Sequence, residues 1–318
     1  MNPTPELSST RRLREEISRL KKEKNALIMA HYYQRDEIQE IADFIGDSLA
    51  LARQAAKTDA DVIVMCGVNF MGETAKILCP GKTVLIPDTA AGCSLADSCD
   101  PVEFENFVKA HPDHTVISYV NTSAAVKALT DIVVTSGNAR KIVEQLPEDE
   151  KIIFGPDHNL GEYINSVTGR SMLLWNGACH VHDRFSLEKI AEMKKEHPRA
   201  KVLVHPECRR PLQLIADKVG STAALLDFAT KDDAPEYIVV TESGILFEMR
   251  NKCPGKVFLA APAEDAECQC NECDFMKLNT LQKVYEALRD GKPEVHVDPE
   301  IAEKALRPIE RMLEMSEG

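Results

Sequence analysis

Ten cysteines are the residues of this 318-residue chain with the most chemistry to offer: Cys66, Cys79, Cys93, Cys99, Cys179, Cys208, Cys253, Cys268, Cys270 and Cys273. The first 25 residues carry charge throughout and lack the apolar core of a secretory signal. No apolar run approaches the roughly 18 residues that cross a bilayer. The expectation is a soluble cytoplasmic protein, where thiols in quantity point to metal binding or catalysis rather than to a disulfide framework. Cys66, Cys79 and Cys253 lie beside or inside apolar segments and fit equally well as small buried hydrophobes. Three loops stand out: Cys93 in TAAGCS, Cys179 in NGACHVH, and Cys268, Cys270 and Cys273 in CQCNEC. Such spacing suits neither a compact zinc finger nor a ferredoxin run. Brought to one point, three thiolates would hold zinc with an open position, or a [4Fe–4S] cluster with one iron free of protein ligands. That iron is a Lewis acid for a hydroxyl or carboxylate, which makes a catalytic cluster the sharper reading.

What could bring the loops together is a repeat. Runs rich in Val and Ile (ALIMA, DVIVMCG, TVLIP, TVISYV, DIVVT, KIIFG, SMLLW, KVLVH, YIVVT and KVFLA) alternate with longer amphipathic stretches. That alternation predicts parallel sheets with crossover helices. Align the strand ends on His31, Tyr119 and His205. Seventeen residues on stand Ser48, Ser136 and Thr222, each five residues after an aspartate (Asp43, Asp131, Asp217). Thirty-six residues on stand Gly67, Gly155 and Thr241, each followed within seven residues by a glutamate (Glu73, Glu162, Glu248). Registered coincidences of this kind across three copies predict triplication of a unit of about 87 residues. The expected fold is α/β, three Rossmann-like αβα domains with parallel sheets arranged about a pseudo-threefold axis. The expected boundaries are a helical extension over 1–24 and repeats over 25–105, 106–190 and 191–318, the last with C-terminal helices.

Ligands in open parallel sheets bind beyond the carboxyl ends of the strands. Three units about one axis would gather those ends, and one cysteine loop each, in a central cavity. Ser48, Ser136 and Thr222 stand before helices, where hydroxyls and free backbone N–H groups receive carboxylate or phosphate; as isolated residues they would read as plain helix caps. Tyr33 and Glu207 lie two residues past registered strand ends and can move protons there. His31, His182 and His205 fit the same cavity or a satisfied core. Glu73, Glu162 and Glu248 fall inside helices and read as structural.

Some classes are excluded. A net charge of −13 without a basic block argues against nucleic acid and an anionic membrane as partners. No G-x-G-x-x-G follows a strand, so a dinucleotide site of that type is unsupported. Gly81-Lys82-Thr83 resembles the end of a P-loop, but Lys76 replaces the first glycine and a strand follows.

The segments AHYYQ, IADFIGDSL, GVNFMGETAKIL, SYVNT, TSGNA, FGPDHNLGEY, NGACHVH, VHPEC, GST and CNECDFMKLNTL, in order from about residue 25 to 315, closely resemble the quinolinate synthase family. The resemblance implies three αβα domains and a [4Fe–4S] cluster on three cysteines. It implies a transferase that condenses iminoaspartate with dihydroxyacetone phosphate to quinolinate, phosphate and water, the entry to the NAD ring. By motif, the cluster ligands look like Cys93, Cys179 and Cys273; Cys273 is preferred over Cys268 and Cys270 because it directly precedes DFMKLNT. His31, Ser48, Tyr119, Asn121, Ser136, His205, Glu207 and Thr222 look like substrate contacts. Tyr33 and Glu207 look like the acid–base pair, with His182 catalytic beside the cluster. Tyr32 stands where other members carry Asn, a change expected to affect packing. The resemblance leaves room for a transient contact with an aspartate oxidase or dehydrogenase that makes iminoaspartate. The rival readings are a zinc hydrolase or structural zinc protein using Cys268, Cys270, Cys273 and His182, and a non-enzymatic iron–sulfur sensor. The acidic chain shows no basic recognition helix for the sensor.

Overall fold

The computed structural model describes residues 5–264 and 271–317, with side chains from residue 10 onward; Cys268 and Cys270 lie outside the described residues. Twelve strands form among the described residues: β1 (Ala26–His31), β2 (Phe44–Gly46), β3 (Val62–Cys66), β4 (Thr83–Leu85), β5 (Thr115–Tyr119), β6 (Ile132–Val134), β7 (Ile152–Gly155), β8 (Leu173–Leu174), β9 (Lys201–Val204), β10 (Lys218–Val219), β11 (Glu236–Val240) and β12 (Val257–Ala260). Each apolar run named above becomes one of them. β2 and β10 are short edge strands that carry no such run.

The strands make three parallel four-stranded sheets with one order, β2-β1-β3-β4, β6-β5-β7-β8 and β10-β9-β11-β12. This is the expected α/β architecture of three Rossmann-like sheets. The registered aspartates explain part of the repetition. Asp43, Asp131 and Asp217 each accept a bond from the backbone N–H fifteen residues earlier, of Ile28 (2.9 Å), Val116 (2.8 Å) and Val202 (2.8 Å). Each also donates its own N–H to the carbonyl of the same residue. A carboxylate thereby closes the start of the first strand in every sheet.

The chain falls into two compact units, Met1–Cys93 with Asp274–Pro299, and Ser94–Cys273 with Glu300–Gly318. In the first, Ile28 of β1, Val64 of β3 and Leu85 of β4 share a core with Ile17 and Leu20 of the helix Pro5–Glu23 and with Val284 and Leu288 of the helix Leu281–Asp290. Those helices place apolar residues three and four apart, so each offers one stripe to the sheet.

The second unit holds the other two sheets. The core under β9 and β11 includes Val202, Val204, Ile238 and Val240, and both Cys179 and Cys273 pack against it. Gly155 ends β7 because nothing larger fits: a Cβ there would lie 2.2 Å from Cβ of Trp175. The chain leaving β8 crosses at that point on its way to Cys179. Among the described residues, no helix is long and apolar enough to cross a membrane.

Candidate active site

Burial sorts the cysteines. Cys66, Cys79, Cys99, Cys208 and Cys253 are buried, whereas Cys93, Cys179 and Cys273 are half-exposed. Cys79 and Cys253 close the helices Asn69–Leu78 and Ile245–Lys252 at corresponding positions, with their thiols turned to the carbonyls of Ala55 (2.9 Å) and Ala229 (3.8 Å). They are packing residues. Burial pushes the Cys66 thiol up to about 12, does the same at Cys99 and raises Cys208 well above its ordinary range. Such thiols stay protonated and make poor ligands. The half-exposed three each lie in the loop that follows the last strand of a sheet.

In the second unit, site residues meet around Glu207. Its Oε1 accepts a 2.5 Å bond from the Tyr119 hydroxyl, and its Oε2 lies 3.1 Å from Nδ1 of His182. That Nδ1 is also 3.3 Å from Cys179 Sγ, while Nε2 of the ring meets Thr241 Oγ1 at 2.8 Å. His205 stacks on His182 with ring centres 4.6 Å apart, and its Nε2 lies 3.2 Å from Ser136 Oγ. Tyr119, His182, His205 and Glu207 are all buried. Burial is the largest single influence on the Glu207 carboxyl and pushes it up; the charges that His182 and His205 carry when protonated, with hydrogen bonds from His182 and Tyr119, outweigh it and bring it down to about 2. Glu207 is therefore an ionised acceptor with proton donors on both oxygens. The donor atoms of Cys179, His182 and Glu207 lie within 4.8 Å of one another, close enough to share a metal ion.

Asn121 follows the end of β5 by two residues, and its side-chain oxygen is buried without a partner among the described residues. Such an acceptor is costly unless a ligand supplies the donor. In the first unit, His31 at the end of β1 and Tyr33 just past it have ring centres 4.5 Å apart, and Ser48 opens the helix Ser48–Lys57.

The three registered hydroxyls do not cap helices. Asp47 caps the helix Ser48–Lys57 by accepting from the Ala50 N–H, and Ser221 caps the helix Thr222–Lys231 by accepting from the Ala224 N–H. Ser48 and Thr222 are thus the first helical residues rather than residues before the helix. Ser136 lies in the turn before the helix Ala139–Glu144, turned to His205. Glu162 and Glu248 pair one turn along their own helices, with His158 and Lys252, in keeping with a structural role.

Two supports escaped the sequence reading. Asp157 and Glu242, both buried, accept the backbone N–H groups of Cys179 (2.9 Å) and Cys273 (3.1 Å). Burial, then the charge of Glu207, raises the Asp157 carboxyl well above its ordinary range, against the N–H groups of Leu160, Cys179 and Asn159. In the first unit Asn69 donates its side-chain N–H to Thr89 in the loop leading to Cys93 (3.2 Å). The signal was present: Asn69, Asp157 and Glu242 each stand one or two residues past Gly67, Gly155 and Thr241.

A family model described as "Quinolinate synthetase A protein" matches residues 15–314. A quinolinate synthase of Synechococcus sp. is 55% identical over 300 residues, covering 94% of each chain. That of Chloroherpeton thalassium is 54% identical over 302 residues, covering 95% of this chain and 94% of the relative. That of Trichormus variabilis is 56% identical over 300 residues, covering 94% and 92%. Similarity of this extent, over nearly the whole of each chain, shows that the chain belongs to the quinolinate synthase family.

Proposed function

We propose that this enzyme condenses iminoaspartate with dihydroxyacetone phosphate to give quinolinate, with a [4Fe–4S] cluster held by Cys93, Cys179 and Cys273 in the entry to NAD synthesis. The observation that carries the ligand set is burial: of the eight described cysteines, these three alone are not buried. They fit the cluster in chemistry as well, because thiolates are the ligands that iron–sulfur clusters take. Three further contacts support the set. Buried carboxylates hold the backbone at Cys179 and Cys273, and Ser94, which follows Cys93, meets Nδ1 of His180, which follows Cys179, at 2.6 Å. When bound, such a cluster supplies a Lewis-acidic iron for a substrate hydroxyl or carboxylate.

The chain's own residues bind charge and move protons. Ser48, Ser136 and Thr222 donate to carboxylate or phosphate oxygens, and Asn121 takes an N–H or O–H of the substrate. Glu207 exchanges a proton with His182 at Oε2 or with Tyr119 at Oε1, and Tyr33 serves as its counterpart. Thr241 and Cys179 hold the His182 ring in one orientation.

Anaerobically purified protein is expected to contain about four irons and four sulfides per chain and to form quinolinate from the two substrates. Glu207→Gln and Tyr33→Phe keep the iron and lower turnover by about 10²-fold. A second reading rests on the Cys179–His182–Glu207 group, whose spacing also suits a single zinc of hydrolase type. One zinc per chain, no sulfide and no quinolinate would establish that reading and reject the first.

A further inference from the structure

The first strand of every sheet runs into a loop that carries a site residue two positions after the registered His31, Tyr119 or His205: Tyr33 after β1, Asn121 after β5 and Glu207 after β9. One side chain binds both carbonyls flanking that residue, and it comes from the same position in all three repeats. Gln39 Nε2 donates to the carbonyls of Tyr32 (3.1 Å) and Gln34 (2.9 Å). Lys127 Nζ donates to those of Val120 (2.8 Å) and Thr122. Gln213 Nε2 donates to those of Pro206 (2.9 Å) and Cys208 (2.7 Å). Every one of these bonds spans either seven or five residues, in the same pairing. Each donor stands eight residues after His31, Tyr119 or His205, on the short helix that follows the loop.

We propose that Gln39, Lys127 and Gln213 are positioning residues, forming one clamp per repeat that aims Tyr33, Asn121 and Glu207. A carbonyl pair bound by a single nitrogen has little freedom to rotate, so the residue between the pair keeps one backbone conformation and one side-chain direction. The loops after β1 and β9 carry a second tie. The N–H of Tyr33 donates to His31 Nδ1 (3.2 Å), and that of Glu207 to His205 Nδ1 (3.4 Å). The second repeat has Tyr119 at that position and no ring nitrogen to offer. There the clamp is a fully buried ammonium, whose hydrogen bonds to carbonyls are charge-assisted and stronger than those of an amide. The chain uses a lysine where the histidine tie is missing.

The inference rests on the site reading above for its kinetic readout, so its test includes one readout that does not. Methionine fills the space of glutamine or lysine without donating. Gln213→Met and Gln39→Met should lower kcat by about 10- to 100-fold with KM little changed, because they loosen proton-moving groups. Lys127→Met should instead raise KM and weaken quinolinate binding by a similar factor, because it loosens a binding group. Lys127→Gln installs the donor used by the other repeats and should restore binding to within about threefold. If Lys127→Met does not fold, Lys127→Gln and the two glutamine variants carry the test. Measured well below each unfolding midpoint, lower midpoints with unchanged kcat and KM would reduce the clamps to ordinary packing and overturn the proposal. In 15N-histidine NMR spectra of the neutral rings, Nδ1 of His31 and His205 should shift in Gln39→Met and Gln213→Met. Shifted spectra in a chain that makes no quinolinate would leave the clamps standing and reject the substrate reading; unshifted spectra would overturn the clamps.

Discussion

At Ser136, Ser48 and Thr222 one registered hydroxyl has two candidate duties, and the neighbouring residues separate them. Asp47 and Ser221 already satisfy the helix N-termini beside two of these residues, so capping free energy belongs to the neighbours. Asp47→Ala and Ser221→Ala should each cost about 1 kcal/mol of stability with quinolinate affinity kept. Ser136→Ala and Thr222→Ala should do the reverse. Losing one hydrogen bond to a charged group costs about 1.5–3 kcal/mol of binding, or about 10- to 150-fold in affinity. Thermal unfolding and quinolinate titration on the same samples measure both effects. A Thr222→Ala protein that is less stable but binds normally would contradict the assignment. The sequence placed these hydroxyls in register, but which residue caps was decided by a one-residue offset of the helix start.

The repeated element is a first strand tied to a second by an aspartate, and then a clamped loop. Asp131 joins the backbone of Val116 through both its carboxylate and its own N–H. Asp131→Ala leaves the Val116 N–H without that acceptor and is expected to cost about 1–3 kcal/mol. Asp131→Asn, which retains an acceptor oxygen, should recover most of it. Urea unfolding at neutral pH checks the pair, and equal losses in both variants would count against the stitching role. Much at this scale was legible beforehand. The strands of β-branched residues declared themselves, as did the aspartates fifteen residues after their partners. β2 and β10 have no Val- and Ile-rich run of their own, and only their place in the repeat marked them as short strands.

For the whole chain, a ligand taking one thiolate from each repeat links the folding of all three to its own binding. Cluster-containing protein should therefore unfold at a higher temperature than the same protein after anaerobic chelation of its iron. Cys93→Ala should abolish that difference, although its mutated loop belongs only to the first repeat. Circular dichroism melts under argon provide the comparison, and a difference that persists in Cys93→Ala would remove Cys93 from the ligand set.

The sequence by itself determined the three sheets, the register among the repeats and the loops in which chemistry would lie, because strand periodicity and spacing are local properties of the chain. It also marked Tyr119 and His205 at registered strand ends, Glu207 two residues past one of them, and Ser136 in register before a helix. Only the tertiary structure decided which of the eight described cysteines are buried and which are accessible, since burial depends on the elements that pack above each thiol. It likewise joined His182 to Glu207 and gave Asp157, Glu242 and Lys127 their duties. Each of these acts on a backbone group or side chain whose place is set by folding, and a buried polar atom finds its partner only when the chain has closed around it.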